Sequence, residues 1–131
     1  MARVEPSDLE LQVLSVLWSS GPSTVHAIHE NMPDGKTRAY TTVLTILQNL
    51  ERKRLVRHRR EGNANVYSAV AGRDKILGPL VKRLLRHVFR GRPAQVVEYL
   101  LSDPAVDAAE LDAIRQLLSD HERRQKGGAD K

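Results

Sequence analysis

The sequence contains no cysteine, which excludes a disulfide scaffold, a zinc ribbon, thiol catalysis and thiolate copper or iron–sulfur sites. Aromatic residues make up only 4% of the 131 residues, with a single tryptophan and a single phenylalanine. No apolar run approaches the roughly 20 residues that cross a bilayer, and the first residues carry no apolar signal segment. These absences predict a cytoplasmic chain without membrane insertion, large enough for one domain or for one small domain with an appendage.

Charge is distributed unevenly along the chain. The formal net charge is +5, but residues 36–60 hold eight Lys or Arg against one acid, and residues 73–92 hold seven against one. Acids dominate instead in residues 1–35, five against one base, and in residues 98–122, seven against one. Any one of these blocks is also typical of a solvated helix face, so its meaning depends on where its side chains lie.

The first part of the chain predicts three helices. Ser7 and Glu10 form a capping box that begins the first helix, and Ser23 is predicted to cap the second. The third helix is predicted from about Arg38 to Lys53. The apolar residues of the first two helices recur at the spacing of a buried stripe: Leu9, Val13, Leu14, Leu17, Trp18, Val25, Ile28 and Met32.

A hairpin is predicted to follow the third helix. Residues 55–60 and 66–70 have the character of strands, and residues 61–65 have that of a turn. Because a lone two-stranded ribbon is marginally stable in water, we expect it to lean on the helices through Leu55, Val66 or Tyr67.

The rest of the chain is predicted to be helical. We place a winged domain in residues 1–72, a helical region in 73–122 and a flexible tail in 123–131. Gly78-Pro79 predicts a kink or a restart, and Asp107 is expected to cap the last helix.

The apolar stripes of the helical region need a second surface, either the winged domain or another chain. A symmetric dimer is the commonest solution, so we predict a homodimer. The residues expected to form the dimer contact are Leu77, Val81, Leu84, Leu85, Val88, Val97, Leu100, Leu111, Ile114 and Leu118.

The third predicted helix has two chemically different faces. Its apolar stripe is Val43, Ile46, Leu47 and Leu50. The opposite face is polar: Arg38, Thr41, Thr45, Gln48 and Arg52, with Thr42 and Asn49 at its edge. No acid occurs from residue 35 to residue 50, whereas an ordinary surface helix carries Glu as well as Lys.

This polar face predicts binding of double-stranded DNA. Threonine, glutamine and asparagine reach base edges in the major groove, and arginines suit phosphates or guanine. The helix follows another across a glycine-containing turn, which is the helix-turn-helix arrangement. Arg57, Arg59 and Arg60 come next, on the strand where a wing would contact flanking phosphates.

Several segments, in this order, resemble the penicillinase-repressor (BlaI/MecI) family. They are LELQVLSVLW at 9–18, TVHAIHE at 24–30, AYTTVLTILQNL at 39–50, KRLV at 53–56 and YSAVAGRD at 67–74. The resemblance covers about residues 7–120 and is most specific in the first 74. It implies a mainly α fold with a small β-hairpin wing: an N-terminal winged helix-turn-helix domain and a C-terminal helical dimerisation region.

The resemblance further implies a repressor that binds a palindromic operator through the third helix in the major groove. Carried over, Tyr40, Thr41, Thr42, Thr45 and Gln48 face DNA, with Arg52 and the wing arginines on phosphates. Two positions depart from the pattern. Ala39 stands where a serine cap is common, which favours Thr37 as the cap, and Leu44 is polar in some members.

The family's release mechanisms apply less directly. In some members a membrane sensor's signalling leads to cleavage of an Asn-Phe bond, and the aligned pair here is Glu98-Tyr99. Copper-responsive relatives use C-terminal cysteines, and their absence rules out that mechanism. The inducing signal, the operator sequence and the role of the basic block at 73–92 stay open.

Other functions are less favoured by the residues. His26 and His29 have helical spacing for a metal but no third ligand nearby, and Asp107, Glu110 and Asp112 are better explained by capping and solvation. We therefore predict no enzyme, no metal and no cofactor. The alternative function is a winged-helix module that uses the same surface to bind protein without sequence-specific DNA binding.

Overall fold

The computed structural model describes residues 6–33 and 38–129, with side chains described as far as residue 127. The elements in these ranges are α1 (Asp8–Ser20), β1 (Ser23–Thr24), α2 (Val25–Asn31), α3 (Tyr40–Arg52), β2 (Val56–Glu61), β3 (Ala64–Ala69), α4 (Arg73–His87), α5 (Pro93–Leu101) and α6 (Ala108–Ala129). The chain forms two compact units that divide after Pro79, seven residues beyond the boundary placed from the sequence.

Both early helices begin at side-chain caps. The Ser7 hydroxyl accepts from the Glu10 amide at 3.2 Å, and the Glu10 carboxylate accepts from the Ser7 amide at 2.8 Å, which confirms the capping box. The cap of α2 is Thr24 rather than the predicted Ser23, whose hydroxyl donates to the Gly21 carbonyl. Thr24 accepts from the Ala27 amide at 3.1 Å instead.

The wing is a three-stranded antiparallel sheet with the order β1-β3-β2. The predicted two-stranded ribbon was therefore incomplete. Ser23 pairs with Tyr67 and Thr24 with Val66 along the free side of β3. A strand of two residues is too short to show the alternation by which strands are predicted, so its pairing comes only from tertiary contact.

The ends of α3 differ slightly from those predicted. Its N-cap position is Ala39, whose methyl side chain cannot accept a hydrogen bond, and the proposed cap Thr37 lies outside the described residues. At the other end Arg54 adopts a left-handed φ of 63°, and the Leu55 amide donates to the Leu50 carbonyl at 3.0 Å. This turn ends α3 and leads the chain into β2.

The core of the winged unit is formed by α1, α2, α3 and the sheet. Its members are Val13, Leu14, Val16, Leu17, Val25, Ile28, Met32, Val43, Ile46, Leu47, Leu50, Val56, Val66 and Tyr67. Burial of Val66 and Tyr67, with Leu55 partly buried against the same cluster, confirms the expected anchoring of the hairpin.

The helices that follow are regular. Pro79 lies inside α4, which runs as one helix, so the predicted restart there is wrong; its fixed φ is compatible with helical backbone. Asp107 accepts from the Glu110 amide at 2.9 Å and caps α6, as expected. This helix continues to Ala129, where the sequence predicted a flexible tail from residue 123. Residues 123–126 are good helix formers, and an Asp120–Arg123 ion pair supports the helix where they begin.

Side chains from residue 73 to residue 127 are nowhere buried. Of the predicted dimerisation residues, those exposed are Val81, Leu84, Val88, Val97, Leu100 and Leu118, and those partly exposed are Leu77, Leu85, Leu111 and Ile114. Exposed apolar residues beyond that set are Tyr99, Leu101 and Leu117. In the part of the chain that the structure describes, no helix combines the length and apolarity required to cross a membrane.

Candidate nucleic-acid interface

The apolar face of α3 is buried in the core, and its polar face is exposed to solvent. Val43, Leu47 and Leu50 are 0% exposed, which fixes the rotation of the helix about its axis. On the opposite side Thr41, Thr45, Gln48 and Arg52 are exposed, while Arg38, Thr42 and Asn49 are partly exposed. Tyr40 is 48% exposed at the first turn. The amphipathic pattern of the sequence therefore translates into a polar, acid-free surface from residue 38 to residue 50.

Three of these polar side chains form hydrogen bonds within the helix. The Thr45 hydroxyl donates to the Thr41 carbonyl at 2.9 Å, so its donor is used and its methyl group remains for apolar contact. The Arg52 guanidinium donates to the Asn49 side-chain oxygen, which holds both at the last turn of α3.

The first turn of α3 is positioned by α2. His29 donates from Nε2 to the Arg38 carbonyl at 2.5 Å, and its ring meets the Tyr40 ring edge-on at 6.4 Å between centroids. Neither contact is evident from the sequence, where His29 has the spacing of a metal ligand with His26. His26 instead pairs with Glu30 at 3.1 Å.

The far end of α3 is tied to α1 by a largely buried ion pair. The Lys53 ammonium donates to Glu10 Oε1 at 2.6 Å, and Glu10 is only 5% exposed. Burial of Glu10 acts to raise its pKa, but the hydrogen bonds from Lys53 and Ser7 outweigh burial and hold the pKa below its ordinary value of 4.5. Glu10 is therefore a charged crosslink between α1 and the end of α3.

The strand register separates the wing arginines. Arg57 and Arg59 pair with Ser68 and Val66 on one face of the sheet, whereas Arg60 pairs with Asn65 on the other. The three arginines were predicted to lie on one basic strand; they do, but the alternation of side chains along it places them on two faces. Arg59 is further engaged by Glu61 at 2.7 Å, so Arg57 is the more available of the two on its face.

A second link joins α3 to the wing. His58 donates from Nδ1 to the Glu51 carboxylate, at 2.7 Å to Oε1 and 2.8 Å to Oε2, and its ring lies 5.2 Å from that of Tyr67. Burial, followed by the nearby Glu51 charge and Tyr40, raises the pKa of the Tyr67 hydroxyl. The one acid of the 36–60 block is thus engaged with the wing.

A groove of about 330 Å³ lies between the start of α3 and the tip of the wing. We call it the wing groove; its lining is Thr24, Val25, His26, Tyr40, Leu44, Arg60, Asn63, Ala64 and Asn65. No pattern in the sequence indicates that His26, Asn63 and Asn65 line this surface. The turn predicted at 61–65 is shorter in the structure, since β2 extends to Glu61 and β3 begins at Ala64; Asn63 lies in the turn, and Asn65 lies in β3 opposite Arg60.

Comparisons with known proteins place the chain among transcriptional repressors. A family profile described as "Penicillinase repressor" matches residues 6–120. The chain is 38% identical over 129 residues to the transcriptional regulator BlaI of Mycobacterium tuberculosis, covering 93% of this chain and 91% of that protein. It is 23% identical over 120 residues to the penicillinase repressor of Bacillus licheniformis, covering 92% and 94%.

A solved structure of similar fold is a MarR family protein from Bacillus stearothermophilus, with a TM-score of 0.53 and 15% identity, covering 92% of this chain and 75% of that one. At this identity the likeness concerns the fold alone. The profile match and the identity to the mycobacterial regulator over nearly the whole chain decide the relationship: the chain belongs to the penicillinase repressor family.

Proposed function

We propose that the protein is a transcriptional repressor that binds a palindromic operator as a homodimer. The observation that carries the proposal is the exposed face of α3, which is polar and acid-free over residues 38–50 while the opposite face is fully packed. A helix held in this way can enter a major groove without moving. The relatives named as regulators and repressors support the same function.

Within this proposal, two side chains of α3 read bases. Because the Thr45 hydroxyl donates to Thr41, its methyl group is suited to the thymine C5-methyl group. Gln48, exposed one turn further on, can form a bidentate pair with adenine. Arg38 and Arg52 lie at the two ends and suit phosphates or guanine.

The wing contributes phosphate contacts from two sides. Arg57 lies on the outer face, and Arg60 lies across the wing groove from Tyr40. A phosphate seated at the groove would be reached by the Arg60 guanidinium and the amides of Asn63 and Asn65. Such contacts fix orientation on the duplex without reading sequence.

The dimer is proposed from the exposed apolar residues of α4, α5 and α6. Leu84, Leu100 and Leu118 are each about half exposed, at 49%, 57% and 56%. A second copy covers such faces symmetrically and brings two α3 helices to the separation of successive major grooves, roughly 34–36 Å.

Release from DNA by a membrane sensor and protease, as in some members of the family, meets an obstacle in this chain. The Glu98–Tyr99 bond lies within α5, in regular helical backbone. Proteases cleave exposed loops and extended segments, so cleavage at this bond would require α5 to unfold first.

The decisive experiment is selection of genomic fragments by the full-length protein, followed by binding to the selected duplex at several salt concentrations. We expect a palindromic site and a plot of log K against log salt with a slope of about −0.9 per phosphate neutralised.

Thr45→Ser, which removes the methyl group, should weaken binding at one thymine more than Thr45→Val does. Arg57→Ala should weaken all duplexes equally and reduce the slope by about one.

Lys126→Ala is the matched control, since it removes one positive charge from exposed α6 and should leave both slope and preference unchanged. Equal affinity for every duplex, or a slope near zero, would contradict operator binding and favour the protein-interaction alternative.

A further inference from the structure

Trp18, the single tryptophan of the chain, lies near the end of α1 and contacts the segment that leads from the wing into α4. Its indole Nε1 donates to the Ala71 carbonyl at 2.9 Å, across 53 residues of sequence. The guanidinium carbon of Arg73, the first residue of α4, lies 5.9 Å from the centroid of the same ring. One side chain thus holds the residues on both sides of Gly72.

The segment is fixed at its other end as well. The Val70 amide donates to the Leu55 carbonyl at 2.9 Å, which continues the pairing of the hairpin past the end of β3. Trp18 itself packs against the core of the winged unit and is partly buried. Residues 70–73 are therefore bound to the winged unit by one backbone and two side-chain contacts.

Gly72 is the one residue of this segment that none of these three contacts holds. A Cβ atom added at Gly72 meets no described heavy atom within 4 Å, so no close packing requires glycine there. Glycine is the most flexible residue of a backbone, and it stands immediately before α4. The Gly72 carbonyl accepts from the Ile76 amide at 3.4 Å, which ties Gly72 to the first turn of α4, and the contacts at Ala71 and Arg73 join this turn to Trp18 of α1.

We propose that Trp18 is a positioning residue for operator recognition: its hydrogen bond to Ala71 and its contact with Arg73 hold the first turn of α4 on the winged unit. The proposal rests on the proposed function, because it concerns a dimer that reads two half-sites. If the connection to α4 is stiff, the separation of the two α3 helices in the dimer is fixed, and the dimer binds half-sites at one separation. If the connection is loose, the same dimer binds half-sites at several separations.

The experiment measures the affinity of the full-length protein for a series of palindromes whose half-site separation changes in steps of one base pair. Each step moves the half-sites about 3.4 Å along the axis. The wild type should show a sharp optimum. Trp18→Phe keeps an aromatic ring for Arg73 but loses the indole N–H, and its penalty for a one-step change should be about tenfold smaller, which corresponds to a hydrogen bond of about 1.4 kcal/mol.

Two further variants separate positioning from stability. Val16→Ala removes core packing from the same helix and keeps the Trp18 side chain, and it should lower stability yet keep the sharp optimum. Gly72→Ala stiffens the joint, and added to Trp18→Phe it should restore part of the selectivity. If Trp18→Phe keeps the wild-type optimum, or if Val16→Ala broadens it equally, the proposal is overturned.

A measurement without DNA keeps this test apart from that of the proposed function. The single indole N–H gives one NMR signal, and in the wild type it should exchange with solvent at least about tenfold more slowly than a free indole. Exchange at the free rate would overturn the inference whatever the protein binds. A wild type with no spacing optimum but a protected indole would contradict the palindromic dimer while leaving the Trp18 contact established.

Discussion

Helices α3 and α4 carry similar apolar stripes but differ in what covers them. In α3 the stripe is packed beneath α1, α2 and the sheet, with Leu47 at 0% exposure. In α4 the apolar residues stay exposed, with Val81 at 57% and Leu84 at 49%. An amphipathic pattern thus predicts that a helix has an apolar face, but it does not predict which other element packs against that face. Helices α1, α2 and α3 and the sheet complete their core within one chain, whereas the apolar faces of α4, α5 and α6 stay exposed in it.

The largest expected effect is on the uncovered side. Leu84→Glu would place an unpaired carboxylate in the proposed dimer contact, which we expect to raise the dimer dissociation constant about 1,000-fold, or about 4 kcal/mol. Sedimentation equilibrium measures this directly. Lys82→Glu makes a larger charge change on the opposite side of α4, and this variant should stay dimeric. If both variants dissociate equally, the dimer contact is not specific to the Leu84 side of α4.

A core substitution in α3 sharpens the comparison from the covered side. Leu47→Ala should lower the free energy of unfolding by about 3 kcal/mol, since it leaves a cavity among fully buried neighbours. The loss should be the same at low and high protein concentration. Leu100→Ala, at an exposed position of α5, should instead cost stability that grows with protein concentration, because the proposed dimer would cover it. Chemical denaturation at two concentrations distinguishes them.

The Glu10–Lys53 crosslink predicts a pH-dependent effect within the winged unit. Glu10→Gln keeps an acceptor for Ser7 but loses the charge, and should cost about 2 kcal/mol at pH 7. Because the folded-state pKa is depressed, the contribution of Glu10 is full above its ordinary value of 4.5 and is lost as the pH falls through the folded-state value.

The difference between wild type and variant should therefore shrink on acidification below pH 4.5. Asp8→Asn, at an exposed position of the same first turn, is the control for a general effect of removing an acid there. A constant difference down to pH 2 would show that the crosslink is not an ion pair.

The smallest effect concerns the turn after α3. Arg54 has φ of 63°, a region that costs a non-glycine residue roughly 1 kcal/mol. Arg54→Gly should therefore raise the free energy of unfolding by about 0.5–1 kcal/mol, read by thermal denaturation. Arg57→Gly, on a strand with extended backbone, should lower it instead.

The sequence predicted features that depend on neighbours along the chain. The capping box of Ser7 and Glu10, the buried stripe of α3 and the hairpin all have local patterns, and the structure bears them out. Contacts between distant residues had no such pattern: the pairing of β1, the Glu51–His58 link, and the bond from Trp18 to Ala71. The left-handed Arg54 was also missed, because glycine is the residue that normally signals such a turn.

For the interface itself, the spacing of apolar and polar residues predicted which face of α3 would be exposed. It did not predict how the wing is oriented. Arg57, Arg59 and Arg60 are close in sequence, yet only strand register assigns them to two faces. The wing groove likewise requires the hairpin to fold back beside Tyr40, which no spacing rule provides.

The sheet order β1-β3-β2 also bears on solubility. With β1 covering one side of β3, the long unpaired edge of the sheet is that of β2. Open edges invite pairing between copies of a protein and are a route to aggregation. This edge strand carries three arginines and a histidine within six residues, and like charges repel a second identical strand. The cationic residues proposed to meet phosphates would, away from DNA, also keep copies from stacking edge to edge.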